Sequence, residues 1–334
     1  MRARRNAMSS PSSTEQNHAS AGGKVILLGE HAVVYGIPAL VLGVSRGVTA
    51  RLLADTCTMH VLRIEGWGVD VATGDCTTTD LGRAFGALVG ASGVRVGASP
   101  RVVEVHVDLP PGGGLGCSAA IGVAVARALD GAASQADVMD RAMAWERIFH
   151  GNPSGIDVWA AAHGGIFSFT RGVGATPLAP PCTLHLAIGS TGRASGTKVM
   201  VERVRALKQE APERVNAIFE GISGLVQNAT HAILCGDVSG LGAHMNANHE
   251  HLINLGVSTP ELDFVVGLAR GAGALGAKLT GAGGGGCVAA LAESAEHAEA
   301  IVRRWNLAGV DGWTTTSAQA QVEMPPRGAW PVHP

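Results

Sequence analysis

The sequence predicts an α+β protein built in two halves, and three observations predict it. Short apolar runs at residues 25–28, 48–53, 59–64 and 102–107 read as strands, interspersed with longer helical patterns in no fixed alternation. The stretch RGVGATPLAPP over residues 171–181 then interrupts the pattern, and a strand, TLHLAIG, restarts the chain behind it. Finally, 334 residues with 46% hydrophobic and 16% charged side chains suffice for two packed cores and argue against a disordered chain. The expected organisation is a disordered tail over residues 1–20, an N-terminal domain over 21–175 and a C-terminal domain over 176–325.

The ordered part opens at GGKVILLGEHAVVYGIPALVLGV, where the run at 25–28 is bounded by glycine as a buried strand. A first helix is expected from Ser118, placed as its N-cap, through AAIGVAVARAL to Gly131, a residue suited to end it. A second begins at Ser134, whose S-x-x-D spacing to Asp137 resembles a capping box, and runs to about His150. Pro153 in GNPSG stops it by pushing Asn152 out of helical geometry. A shorter helix follows from Asp157 through VWAAAH to the Gly164-Gly165 stop. The second half carries helical patterns at 197–210, 211–236 and 260–271, then a strand, a glycine loop and a strand in AKLTGAGGGGCVAAL. The chain has no internal repeat.

Bulk properties exclude several function classes. A net charge of −2, with no Lys/Arg run outside MRARR, offers no basic face for nucleic acid. Aromatic content of 4%, with a single tyrosine, argues against a base-stacking platform. The six cysteines form no C-x-x-C pair, so neither a disulfide framework nor a zinc site is indicated, and a reducing compartment fits. No apolar run approaches the ~18 residues of a membrane span, and the first twenty residues lack the apolar core of a secretory signal. The expectation is a cytoplasmic protein with no nucleic-acid or membrane partner.

Chemistry is concentrated in the glycine-bearing segments. In PPGGGLGCSAA the residues 112–116 include four glycines, more than a tight turn needs, directly before an apolar helix. Such a loop lets consecutive N–H groups turn toward one point, and the helix adds its N-terminal donors and dipole, which together suit a phosphate. It is not a Walker loop, because G-x-x-x-x-G-K-[ST] occurs nowhere in the chain. Gly281, Gly283 and Gly286 match G-x-G-x-x-G literally, yet they lead into another strand too near the C-terminus for a dinucleotide fold. Glu146, in the last turn of its helix, and Asp157, at the next helix start, can be brought together by the intervening turn. A dipole-held Asp157 suits a base or charge partner, while on spacing alone a simple cap and a solvated Glu146 are the readier explanation of the pair. Lys24 by the same default is a surface lysine.

Taken together, GGKVILLGEHAVVYG, PPGGGLGCSAA and KLTGAGGGGC resemble the three ordered motifs of the GHMP small-molecule kinases. GEHAVVYG followed by HGNPSGID resembles the mevalonate kinase branch of that superfamily, and the match runs from Lys24 to about Cys287. The resemblance implies a ribosomal-protein-S5-like N-terminal domain with a left-handed βαβ crossover, a ferredoxin-like C-terminal domain, and an active site between them. It implies ATP and Mg²⁺ as cofactors and phosphorylation of the C5 hydroxyl of mevalonate. Pro111, Gly112, Gly113, Gly114, Leu115, Gly116, Cys117 and Ser118 would then wrap the nucleotide phosphates. Ser118 and Glu146 would be the metal ligands, and Asp157 with Lys24 the catalytic pair. Glu30, His31, Thr197 and Ala282 would face the substrate, with Arg193 a further carboxylate partner. Members are often dimers, so a homodimer is also expected.

The departures carry expectations too. Gly22 stands where the family usually has Pro, and Cys117, where it usually has Ser, adds a thiol-reactive position beside the nucleotide. Val158-Trp159 replaces the usual DN continuation, and IDVWAAAHGG resembles the phosphomevalonate kinases of the superfamily. Phosphomevalonate or another small-molecule acceptor is therefore the alternative substrate. A non-catalytic ligand-binding relative is the alternative class, opposed by the joint presence of Lys24, Ser118, Glu146 and Asp157.

Overall fold

The computed structural model describes residues 18–53, 57–75, 78–92 and 100–317. Most of the expected tail, and the C-terminal limit at residue 325, lie outside those residues. The strand β1 (His18–Leu28) pairs antiparallel with β2 (Ala39–Leu53), and a short 3-10 turn, Ala32–Tyr35, lies between them. β2 organises the first sheet, pairing through its early residues with β6 (Ile166–Thr170) and through its late residues with β5 (Val102–Val107). Outside β5 lie β3 (Val61–Ile64), parallel to it, and β4 (Val69–Ala72), while β7 (Gly174–Leu178) extends the far edge beyond β6.

The helix α1 (Asp80–Ala91) packs on α3 (Gln135–His150), and α2 (Cys117–Leu129) lies across β1 and β2. The run from Ala119 to Ala126 in α2 is buried on every side, which is why its apolar pattern lacks a polar face. Its Gly122 lets Trp145 of α3 approach, since a Cβ there would lie 3.1 Å from the indole. The capping box at Ser134 and Asp137 forms as its spacing predicts. α4 (Ile156–His163) follows the GNPSG turn.

The second sheet has the order β11-β8-β10-β9, all antiparallel, from β8 (His185–Ser190), β9 (Gly276–Thr280), β10 (Cys287–Ala292) and β11 (Gly312–Thr316). Helices α5 (Thr197–Glu210), α6 (Pro212–Cys235), α7 (Val238–Asn254) and α8 (Pro260–Gly271) fill the first crossover, and α9 (Ala295–Asn306) the second. This is the ferredoxin-like order, as implied. Trp305 of α9 is fully buried and donates from Nε1 to the Val265 carbonyl at 2.9 Å. Gly189 and Gly312 on paired strands make room for its ring, with Cβ positions that would meet it at 3.0 and 2.9 Å.

Several expectations are corrected. Ser118 is not the N-cap of α2; Gly116 is, with φ 74°, and no side chain caps that end. The loop expected at 171–181 contains β7, which carries the first sheet past residue 175. α1, α7 and α9 were not expected, because glycines, histidines and charges blur the apolar periodicity of their sequences.

Candidate active site

The loop 112–116 folds under α2 with Gly112, Gly114 and Gly116 all at positive φ. At Gly114 the requirement is double, since φ is +77° and a Cβ would lie 2.9 Å from the Thr280 carbonyl of the second sheet. At Gly116 a Cβ would sit 3.2 Å from Lys24 Cγ and 3.6 Å from Asp157 Oδ1. Absence of side chains thus lets one loop touch β1, α4 and β9 at once.

Lys24 is drawn into that junction. Its N–H donates to the Leu115 carbonyl at 2.9 Å, and its Nζ donates to the Gly114 carbonyl at 2.8 Å. Nζ also lies 3.3 Å from Asp157 Oδ1, on the second residue of α4. The lysine is 5% exposed, so the default reading as a surface residue is overturned. Asp157 Oδ1 has no hydrogen-bond partner, so the ammonium ion is its stabilising contact.

Ser118 and Glu146 meet across the α2–α3 contact. Ser118 Oγ donates to Glu146 Oε1 at 2.5 Å and accepts from Trp145 Nε1 at 3.1 Å. Burial pushes the Glu146 carboxyl up to about 7, the Ser118 bond opposing the shift and the Asp157 charge adding to it. His150, one turn on, places Nε2 3.6 Å from Glu146 Oε2. Beside them Cys117 is pushed up to about 11 by burial and by the Glu146 charge, so the thiol-reactive position expected there is quenched.

The cleft enclosed by these residues has a volume of about 270 Å³. It is lined by Lys24, Glu30, His31, residues 112–118, Glu146, His150, Asp157, Thr197, Val201 and Ala282, among others. His31, at φ 61°, hydrogen-bonds through Nε2 to the Ala282 carbonyl at 2.8 Å, and burial holds its pKa down. Glu30 is 1% exposed, receives Asn248 Nδ2 at 3.1 Å and forms an ion pair with the fully buried Lys278. Of the expected residues, Pro111 does not line the cleft, and Arg193 turns to Glu261 at 2.7 Å with its side chain 69% exposed. Val158 and Trp159 also point away. Trp159 stacks on His163 and packs on Phe167 in a small core, so the departure from DN changes packing, not the cleft wall.

Sequence reasoning missed His150, Val201, Lys278 and Asn248. The i,i+4 spacing from Glu146 to His150 could have flagged the first; the others become neighbours only through tertiary folding. Among the described residues no three His, Cys, Asp or Glu side chains cluster for a metal, and no helix is long and apolar enough to cross a membrane.

Comparison with known proteins agrees with this geometry. Residues 79–165 match the GHMP kinases N terminal domain and residues 229–311 the GHMP kinases C terminal domain. A mevalonate kinase of Aeropyrum pernix is 37% identical over 292 residues, covering 83% of this chain and 89% of its own length. One from Pyrococcus furiosus is 36% identical, covering 86% of this chain and 92% of its own. Among solved structures, L. major mevalonate kinase in complex with R-mevalonate superposes with a TM-score of 0.79 at 30% identity, covering 93% of this chain and 98% of that one. With both halves matched in order and the glycine loop, Lys24 and Asp157 gathered at one cleft, the chain belongs to the GHMP kinase family.

Proposed function

We propose that the protein transfers the γ-phosphoryl group of ATP to the C5 hydroxyl of mevalonate. The observation that carries this reading is the Lys24–Asp157 pair at the foot of the glycine loop, in a chain more than a third identical to mevalonate kinases over most of its length. The nucleotide domain, extended past residue 175 by β7, runs from residue 21 to 178, and the residues from 179 on form the domain that closes the acceptor side.

The residues present fit both implied cofactors. The loop 112–116 offers backbone in place of side chains, as a polyphosphate requires. Ser118 and Glu146 are oxygen ligands, and the carboxyl held near 7 by burial is one that a cation would ionise. Mg²⁺, when bound, supplies charge neutralisation at the β- and γ-phosphates. Asp157 orients the acceptor hydroxyl and accepts its proton at Oδ1 or Oδ2. Lys24, 3.3 Å from that carboxylate, pairs with it and adds positive charge beside the transferred group. His31 and Ala282, linked at 2.8 Å, form the acceptor wall with Thr197 at the start of α5. Alignment and charge are most of what phosphoryl transfer demands.

The test is ADP release from purified protein with ATP, with and without Mg²⁺, over mevalonate, phosphomevalonate, galactose and homoserine. Mg²⁺-dependent turnover with mevalonate alone is expected. Turnover with phosphomevalonate and none with mevalonate would overturn the acceptor assignment.

A further inference from the structure

Behind the acceptor wall lies an ion pair that the proposed chemistry does not use. Lys278, in the middle of β9, is completely buried, and its Nζ donates to the Leu279 carbonyl at 2.6 Å and to the Ile26 carbonyl at 3.3 Å besides contacting Glu30. Glu30 lies in the turn two residues past the end of β1, so the pair ties that end of the first sheet to the second. Asn248 of α7 holds the other carboxylate oxygen, and its own Oδ1 is buried without a hydrogen-bond partner. Thr280 adds a further tie, accepting from the Ile26 N–H at 2.9 Å.

The local backbone explains why this seam exists. The pairing of β1 with β2 slips between Ile26 and Leu28, leaving Leu27 as an extra residue in the strand. The Ile26 N–H and carbonyl beside the bulge are taken by the Thr280 and Lys278 side chains of β9. Directly after the bulge the chain passes through two residues at positive φ, Gly29 at 98° and His31 at 61°. A histidine holds such a conformation only where its neighbours over-determine it. Glu30, between them, is gripped at both oxygens.

Burying an ion pair seldom adds stability over apolar packing, so its presence here points to a geometric task. We propose that Lys278, with Asn248, is a positioning residue for the acceptor site: it grips Glu30 from the C-terminal half and thereby fixes the turn that seats His31 against Ala282. The occupant of that wall is a small hydroxy acid, which rests on the function proposed above. On this reading Glu30 shapes the acceptor wall through the backbone and makes no direct substrate contact, because both its oxygens are engaged.

The experiment compares Lys278→Met, Asn248→Ala and the double variant Lys278→Met/Glu30→Gln in the full chain. Folding is checked by circular dichroism, and ATP affinity by titration. Lys278→Met is expected to raise the mevalonate KM about tenfold or more with the ATP Kd unchanged, and the double variant to add little, since the pair acts as one unit. Should Lys278→Met fail to fold, Asn248→Ala, which removes one uncharged donor, carries the same expectation at a smaller size. An independent readout is the His31 ring resonance in ¹³C-histidine-labelled protein, assigned with His31→Gln. It is expected to shift in Lys278→Met and Asn248→Ala even without any acceptor present. A moved resonance without mevalonate turnover by the wild type would sink the substrate reading and leave the positioning role standing. An unmoved resonance in folded variants, or ATP and mevalonate parameters changing equally, would overturn the proposal itself.

Discussion

Ser118 Oγ donates a 2.5 Å hydrogen bond to Glu146 Oε1, and the carboxyl it reaches is 3% exposed. Burial pushes that carboxyl up to about 7 from an ordinary 4.5. The unfolded chain therefore loses its proton first as pH rises, and stability falls between about pH 4.5 and 7 and levels off above. At about 1.4 kcal/mol per pH unit the loss is on the order of 3 kcal/mol. Glu146→Gln removes it. The variant should melt above the wild type at pH 8 in metal-free buffer and alongside it at pH 4.5, a comparison that differential scanning calorimetry makes directly. Equal melting temperatures at pH 8 would show that Glu146 is ionised without strain.

The same carboxyl carries the metal assignment. Ser118→Ala and Glu146→Gln should each raise the KM for Mg²⁺·ATP by about tenfold or more, because each removes one of two oxygen ligands. The glutamine variant should show the larger fall in kcat, since it also removes a charge. Mg²⁺ dependence unchanged in both would place the ion elsewhere.

Gly114 tests the phosphate loop. Gly114→Ala forces a Cβ onto a left-handed residue and to within 2.9 Å of the Thr280 carbonyl, which belongs to backbone and cannot swing aside. The conformational penalty alone is about 1–2 kcal/mol. ATP affinity measured by calorimetry should drop at least about tenfold, each tenfold being about 1.4 kcal/mol. Wild-type affinity in this variant would mean that the nucleotide does not use the loop.

Cys117 lines the cleft but is pushed up to about 11, whereas Cys235 is exposed. Iodoacetamide at pH 7.5 should therefore label Cys235 well before Cys117, with the order read by peptide mass spectrometry. Faster labelling at Cys117 would contradict the burial argument.

Much of the fold was legible because local rules held. α5 and α8 begin and end where their patterns do, and the Ser134–Asp137 box forms as spaced. The phosphate loop was legible from glycine alone, since few other purposes require four in five residues. Ser118 misled because its position before an apolar helix fits a cap, while Gly116 already turns the chain into α2 and frees the hydroxyl for Glu146. Lys24 could not be distinguished from a surface lysine until β1 was packed beneath the loop. The Glu30–Lys278–Asn248 seam was beyond reach, because it joins residues some 220 to 250 positions apart through a bulge that no local signal marks.

The central claim is that Asp157, held by Lys24, handles the acceptor hydroxyl. Its most direct test is kcat for Asp157→Asn with mevalonate, alongside ATP affinity by titration. The amide keeps the shape and the place in the first turn of α4, but it neither takes a proton nor balances Lys24. Loss of a positioned base lowers the rate by about 10²–10⁴, and ATP affinity should stay within about twofold of wild type. A near-normal kcat in this variant would return Asp157 to a helix-end role and contradict the account.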